Sequence, residues 1–282
     1  MAIRKKRKTR ASRRWKLHLL SGIWALAVAA VAITLMCDRR GQKDDAAASG
    51  DALLKEMSEA KLPPSVPDTL MRFSAFTVHY NTRWLVPNYV VYTLKRSHVG
   101  GKACYDGSFF VPEKMANCAM PLELEATGYQ RGHMAPAADM RWSEQALRES
   151  FAMVNICPQS GDLNTGAWRR LEDRVREWVM NDSVLVVFTG PVLSERMATI
   201  GPEHRIGVPE RFFKVVLAPF AQPMRAIAFV MPAEGTTLPL RHHAVSVSEV
   251  ERISGIDFFP TLPQQEQRRL KDVVDTYSWF RY

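Results

Sequence analysis

The strongest constraint on this chain is an uncharged run of eighteen residues, Leu19 to Met36, directly after a basic segment. A helix rises about 1.5 Å per residue, so the run is about long enough to cross a bilayer. Lysines and arginines before it favour a cytoplasmic N-terminus. The pattern predicts a basic cytoplasmic segment (residues 1–16), a transmembrane or signal-anchor helix (residues 17–37), and export of the remainder to the periplasmic or extracellular side.

The processing of this helix has several interpretations. No small-x-small cleavage site follows the apolar run. Cys37 could be lipidated only after small residues, and Thr34 to Met36 do not provide them. An uncleaved membrane anchor is therefore favoured over lipidation, or over cleavage, which would give a secreted protein. A mitochondrial presequence matches the arginine-rich, acid-free segment but not eighteen uninterrupted apolar residues.

The net charge of +9 belongs to the N-terminus and not to the whole chain. Nine of the 38 lysines and arginines lie in the first sixteen residues, which leaves 29, equal to the 29 aspartates and glutamates. Bulk charge is therefore no evidence for a nucleic-acid partner. The basic segment could itself bind anionic lipid or nucleic acid, but an orientation signal for the helix is the favoured interpretation.

The four cysteines, at positions 37, 104, 118 and 157, form no C-x-x-C metal motif. Export would permit a disulfide between Cys104 and Cys118. Free or buried thiols are an equally good interpretation.

Residues 38–65 are rich in Ala, Asp, Lys and Pro and predict a linker, which places a folded domain at residues 66–282. Two helices are predicted, at Ser143 to about Met153 and at Gly166 to Met180, the second with an apolar stripe at helical spacing. Five β-branched and aromatic runs predict strands: Phe76–Tyr80, Tyr89–Leu94, Val184–Phe188, Phe212–Leu217 and Ala226–Met231. Strands on both sides of a helical middle indicate an α+β domain.

Three motifs in the helical middle concentrate polar residues of catalytic type: QRGHMAP (130–136), NICPQ (155–159) and LNTGAWRRLE (163–172). Taken singly, each is weak. A lone histidine is more often structural, and Asn164 could simply cap the helix after it. Glu172 and Arg176, spaced i, i+4, could be an exposed ion pair worth a few tenths of a kcal/mol. The order of all three motifs carries more information than any one residue.

In that order the motifs resemble the DNA/RNA non-specific endonuclease family, which includes mitochondrial endonuclease G and secreted bacterial sugar-non-specific nucleases. The family signature is D-R-G-H-x-A-P, S-N-x-x-P-Q and L-N-x-x-x-W-x-x-L-E. Further similarity extends from Phe73 to Leu262, through the runs at 90–92, 189–191, 212–215 and 255–260. The resemblance implies a ββα-metal nuclease fold, with a central antiparallel sheet flanked by helices, and cleavage of both DNA and RNA through the backbone they share.

The resemblance implies a metal-assisted hydrolysis. His133 matches the general base that deprotonates the attacking water, a task suited to an imidazole. Asn164 matches the single direct protein ligand of one Mg²⁺, with Mn²⁺ an alternative, and the ion stabilises the leaving group. Glu172 matches the residue that holds the ion's water shell. Eight residues, about 12 Å along a helix, separate Asn164 from Glu172, so only one of them can be a direct ligand.

The remaining matched residues bind or position phosphate. Arg131 and Arg176 match a pair that clamps phosphate oxygens, for which a planar guanidinium is well shaped. Asn155 matches a residue that helps position the phosphate or the histidine. Family members are often dimers, so a homodimer is possible here.

The signature departs at position 130, where Gln stands in place of the family Asp. A negative charge is lost beside Arg131 and His133, while hydrogen bonding can be kept. We expect an active enzyme because His133, Asn164 and Glu172 are retained. The alternative is a membrane-tethered nucleic-acid-binding relative that has lost catalysis.

Overall fold

The computed structural model describes residues 50–115, 117–202 and 205–281. The predicted basic segment, the predicted transmembrane helix and most of the predicted linker lie outside these ranges. None of the helices within them has the length and apolar character needed to span a membrane.

The described chain alternates short helices with strands. In chain order the strands are β1 (Ala60–Lys61), β2 (Thr69–Arg72), β3 (Phe76–Asn81), β4 (Val86–Lys95), β5 (Gln130–His133), β6 (Ile156–Gln159), β7 (Val184–Pro191), β8 (Ala198–Ile200), β9 (Ile206–Val208), β10 (Arg211–Ala218), β11 (Arg225–Pro232), β12 (Ala244–Val245) and β13 (Asp257–Phe258). The α-helices are α1 (residues 50–57), α2 (Ala137–Met140), α3 (Glu144–Ser150), α4 (Arg169–Asp182), α5 (Val247–Ser254), α6 (Gln264–Lys271) and α7 (Thr276–Phe280).

A seven-stranded antiparallel sheet, in the order β12-β11-β10-β7-β4-β3-β2, forms the centre of the described domain. The five predicted strands are β3, β4, β7, β10 and β11, so each is confirmed within a few residues at its ends. The short strands β2 and β12 lie at the two edges and were not predicted. The α+β class and the central antiparallel sheet are confirmed.

Both faces of the sheet are buried, which explains why its inner strands are apolar almost throughout. On one face, Phe212 and Val216 of β10 pack in the same core as Leu171 and Val175 of α4. On the other face, residues such as Val215 pack with α5, α6 and β13. The candidate site lies on the α4 side.

Residues 54–65, which composition assigns to the linker, contain regular structure. Leu54 and Met57 are buried in the core that contains α5 and α6, and β1 pairs antiparallel with β13. The division of the chain into four segments stays a prediction. Residues 54–65 of the predicted linker pack against the folded domain.

Two side-chain expectations are settled by the structure. Trp168 and Trp178, which belong to the predicted apolar stripe, are buried, whereas Trp142 is 40% exposed and stacks on His98. Cys104 is exposed and unpaired, and Cys118 is buried and unpaired, so no disulfide joins them.

Candidate active site

His133 ends β5, which pairs antiparallel with β6 apart from the central sheet. The pair is packed tightly at Gly132, where a Cβ would lie 2.1 Å from Gln159 Oε1. A π-helical segment, Leu163–Trp168, follows β6 and runs into α4, with a kink at Gly166. The two strands and the helix form a strand–strand–helix unit that holds both His133 and Asn164.

This unit encloses a cleft of about 470 Å³. Four of the six predicted site residues line it: His133, Asn164, Glu172 and Arg176. Its other walls are formed by Pro136, Ala137, Ala138, Thr165, Arg169 and Asp173. The geometry therefore brings together the predicted base, the predicted metal ligand, the predicted water-shell acid and one of the two predicted phosphate clamps.

The His133 imidazole sits in an aromatic environment. The rings of Phe151 and Phe109 lie 4.9 and 5.5 Å from it between centroids, the first edge-on. Its Nε2 is buried and forms no hydrogen bond with any residue that the structure describes. Burial lowers the pKa of His133 from 6.5 to about 4, because an imidazolium would be poorly solvated there.

Asn164 is held by its side-chain amide and is not a helix cap. Its Nδ2 donates to Gln130 Oε1 at 2.8 Å. Its Oδ1 accepts no hydrogen bond from the described residues, so this oxygen remains available to a ligand in the cleft. Gln130 therefore orients the amide of the predicted metal ligand.

Arg176 is anchored by two carboxylates, and neither belongs to Glu172. Its guanidinium donates through Nη1 to Asp139 and through Nη2 to Asp173, each at 2.5 Å. Asp139 is fully buried and also accepts from the Tyr92 hydroxyl at 2.8 Å. The exposed i, i+4 ion pair that the spacing suggested is absent from the described residues, and a partly buried network takes its place.

Lys214 supplies a second buried cation behind the cleft. It lies on β10 with no exposed surface, donates to Thr189 Oγ1 at 3.1 Å, and places Nζ 4.6 Å from the centre of the Trp168 ring. Burial raises the pKa of Glu172, while the positive charge of Lys214 opposes that rise. Burial correspondingly lowers the pKa of Lys214, and Glu172 opposes that fall.

The structure does not bring the other two predicted residues into the cleft. Arg131 donates to Pro121 O at 2.8 Å and to Glu125 at 2.8 Å, with its guanidinium 5.1 Å from the Phe109 ring. Asn155 is buried, and its side-chain amide forms hydrogen bonds with backbone groups. It accepts one from Ala135 N and donates one to Ala135 O. Asn155 thus braces the segment that follows His133 and has no group left for phosphate.

Sequence reasoning missed Asp139 and Lys214 as members of the site. A signal for Lys214 was present, since it is a lone charge inside the apolar run of β10 and faces the same side as Phe212 and Val216. Asp139 gave no such signal, because an acid in the first turn of a short helix is ordinary.

The antiparallel sheet and the cleft that holds His133 and Asn164 on a strand–strand–helix unit match the fold and the site residues expected from the sequence motifs. The chain belongs to the DNA/RNA non-specific endonuclease family, whose model matches residues 55–265.

Individual relatives agree with this membership. The chain is 34% identical to Nuclease 1, mitochondrial, of Schizosaccharomyces pombe over 52% of its own length and 51% of that protein. It is 30% identical to the mitochondrial nuclease EXOG of Danio rerio, covering 77% of this chain and 68% of the relative. Human endonuclease G is 32% identical over 50% of this chain and 51% of its own. The chain thus spans from about half to two thirds of the length of these relatives.

Among solved structures, a chain of the EndoG/EndoGI complex superposes with a TM-score of 0.65 and 27% sequence identity. The match covers 70% of this chain and 88% of that one. The central sheet and its helices are therefore those of an EndoG-like fold.

Proposed function

We propose that this protein is a divalent-metal-dependent phosphodiesterase that cleaves DNA and RNA without sequence specificity. The observation that carries the proposal is the single cleft lined by His133, Asn164 and Glu172, in which the Asn164 amide is oriented by Gln130. Membership of a nuclease family supplies the substrate class.

The donor set of the cleft suits a hard cation. Asn164 offers its Oδ1, and the Glu172 carboxylate lines the same cleft about two turns further along the helix. Such a sparse oxygen set fits Mg²⁺, or Mn²⁺, because Mg²⁺ keeps several waters and needs few protein ligands. When bound there, the ion would offset the charge that develops on phosphorus and on the leaving 3′ oxygen.

His133 is suited to act as the general base. Its lowered pKa keeps the imidazole neutral near physiological pH, so that it can accept a proton from the attacking water. Since Nε2 is buried, Nδ1 is the nitrogen that a water in the cleft would meet. Asn155 keeps the segment after His133 in place through its two hydrogen bonds to Ala135.

Arg176 would hold a phosphate oxygen while the two carboxylates hold Arg176. Its position is set by Asp139 and Asp173, and it lines the cleft beside Glu172. Arg131 would reach phosphate only by giving up its bonds to Pro121 and Glu125. We therefore assign the phosphate contact first to Arg176. Contacts to phosphate and to the metal do not distinguish the bases, so the same site would cleave both DNA and RNA.

The location of the enzyme is a further part of the proposal. The basic segment and the apolar run support a membrane-anchored protein with the nuclease domain exported, or a secreted one if the run is cleaved. Protease digestion of cells whose outer envelope is made permeable while the inner membrane stays intact tests this: loss of the nuclease domain to added protease is expected, and full protection of the domain would contradict it.

The activity is tested with the full-length chain on supercoiled plasmid and on single-stranded RNA, with Mg²⁺, with Mn²⁺ and with EDTA. We expect metal-dependent loss of both substrates in the parent, and none in His133→Ala or Asn164→Ala. His98→Ala is the matched control, since His98 stacks on Trp142 away from the cleft. A folded parent that cleaves neither substrate with either metal would favour the non-catalytic, nucleic-acid-binding alternative.

A further inference from the structure

A second cleft, of about 530 Å³, adjoins the candidate active site. It is lined by Arg170, Asp173, Arg174, Glu177, Pro239, Leu240, Arg241 and Phe280, and is called here the arginine cleft. Asp173 lines both clefts, so one surface runs continuously from the first to the second.

Helix α4 is the wall that the two clefts share. Residues 169, 172, 173 and 176 line the first cleft, and residues 170, 173, 174 and 177 line the second. Each set has the spacing of one helical face, and the two faces are adjacent. A ligand that extends beyond the first cleft on this side therefore passes over the second.

The charges of the arginine cleft are only partly compensated. Glu177 pairs with Arg174 at 2.7 Å, and Asp173 pairs with Arg176 at 2.5 Å. Arg170 and Arg241 are exposed, and in the part of the chain that the structure describes neither lies within 4.0 Å of a carboxylate oxygen. Two guanidinium groups are thus available to an anion.

The loop that carries Arg241 is fastened to the segment that carries Asn164. Arg170 donates through Nη2 to Thr236 O at 3.1 Å, so one guanidinium edge stays free. Gly235, at φ +88°, is packed so closely that a Cβ would lie 2.8 Å from the backbone carbon of Asp162. These contacts hold the loop that leads to Arg241 against the segment that carries Asn164.

We propose that the arginine cleft binds backbone phosphates of the same nucleic-acid strand beyond the phosphodiester that is cleaved, through Arg170 and Arg241. The inference rests on the proposed nuclease function and extends its substrate contacts. Guanidinium groups match phosphate oxygens in shape and charge. The apolar wall formed by Leu240 and Phe280 suits a sugar or base, which a cleft for inorganic anions alone would not need.

The test measures binding and not cleavage, so that it stays informative whatever the activity. Full-length His133→Ala protein is titrated with a fluorescent single-stranded hexadecamer and with a dinucleotide, over a range of salt concentrations. The test variant adds Arg170→Ala and Arg241→Ala. The matched control adds Arg252→Ala and Arg268→Ala, two exposed arginines on α5 and α6 beneath the opposite face of the sheet. The basic N-terminus is the same in all of them.

We expect the test variant to bind the hexadecamer about tenfold more weakly than the control at low salt, with a salt slope reduced by about 1.4 for two lost phosphate contacts on a single strand. Binding of the dinucleotide, which reaches only the first cleft, should be unchanged. Hexadecamer affinity and salt slope equal to those of the control would overturn the proposal. So would an equal weakening toward the dinucleotide, because it would place both arginines at the scissile phosphate. Failure of the parent to cleave would instead count against the proposed function.

Discussion

The side chain of Asn164 donates a 2.8 Å hydrogen bond to Gln130, the residue that replaces the family aspartate. A carboxylate at position 130 could accept the same bond. The substitution therefore keeps the acceptor that orients Asn164 and removes one negative charge from its neighbourhood. Orientation and charge are two separate properties, and they can be tested separately.

Gln130→Leu keeps much of the volume and removes the acceptor. Freed from Gln130, the Asn164 amide can turn its Nδ2 toward the cleft. We therefore expect about a tenfold loss of kcat/KM, which corresponds to about 1.4 kcal/mol of transition-state stabilisation.

Gln130→Glu keeps the length and an acceptor and restores the charge. Its half-saturating Mg²⁺ concentration should fall below that of the parent. Steady-state rates over a Mg²⁺ titration measure both effects. A fully active leucine variant would show that Gln130 does not orient Asn164.

The lowered pKa of His133 predicts that this base stays neutral into the acidic range. The neutral imidazole, which is the basic form, predominates above its pKa of about 4, whereas an ordinary histidine is neutral only above 6.5. The His133 ring should therefore stay uncharged, and able to accept a proton, well below pH 6.5. The same shift affects stability, because His133 takes up a proton at a higher pH in the unfolded state than in the folded state as pH falls. The stabilisation from a neutral His133 is complete above pH 6.5 and is lost as pH falls through 4.

Phe151→Ala provides the matching perturbation, since Phe151 contacts the His133 ring edge-on. Opening this side of the imidazole to water should raise the pKa of His133 toward 6.5. NMR titration of the His133 ring in both proteins gives the pKa directly. An unchanged pKa in the variant would show that the aromatic contact is not what desolvates the imidazole.

Local sequence patterns predicted the inner strands of this domain. They did not predict contacts between residues that lie far apart in the sequence. The β-branched runs predicted the inner strands of the sheet, because those strands are buried on both faces. The edge strands β2 and β12 are only four and two residues long and lack that signature. Asp139 and Arg176 lie 37 residues apart, and only the fold shows that they form a pair.

The spacing of Glu172 and Arg176 illustrates the same limit at the site. Residues four apart on a helix commonly pair, so a surface ion pair was the plain interpretation. Tertiary packing buries this face of α4 against Asp139 and Lys214, and Arg176 then pairs with the fully buried Asp139. Position on a helix identifies neighbours within the helix but not the groups packed against it.

Asp139→Asn should be far more damaging than Asp173→Asn, although both aspartates bind Arg176. Asp139 has a fully buried side chain, and the loss of its charge leaves a partly buried guanidinium without its buried partner, which costs about 3–5 kcal/mol. The Asp173 side chain is 56% exposed, and loss of an exposed pair costs about 0–1 kcal/mol. Urea unfolding of both variants measures the difference. Equal destabilisation would show that Asp139 is not the anchor of Arg176.

Lys214→Met is expected to shift the pH dependence of catalysis toward alkaline pH. Lys214 is a buried cation on the sheet face that packs against α4, and its charge opposes the rise that burial causes in the pKa of Glu172. Without that charge the pKa of Glu172 rises further, so its carboxylate is ionised, and able to hold the water shell of a metal, only at higher pH.

The acidic limb of kcat/KM should therefore move up in Lys214→Met, and the half-saturating Mg²⁺ concentration should rise near neutral pH. Lys214→Arg keeps the charge and should keep the parent profile, provided that circular dichroism shows a folded chain. In a Glu172→Gln background the same methionine substitution should leave the pH profile unmoved, because no carboxylate remains at position 172 to respond. A shift of equal size in both backgrounds would mean that Lys214 acts on another group of the cleft, with the Asp139 carboxylate the next to test.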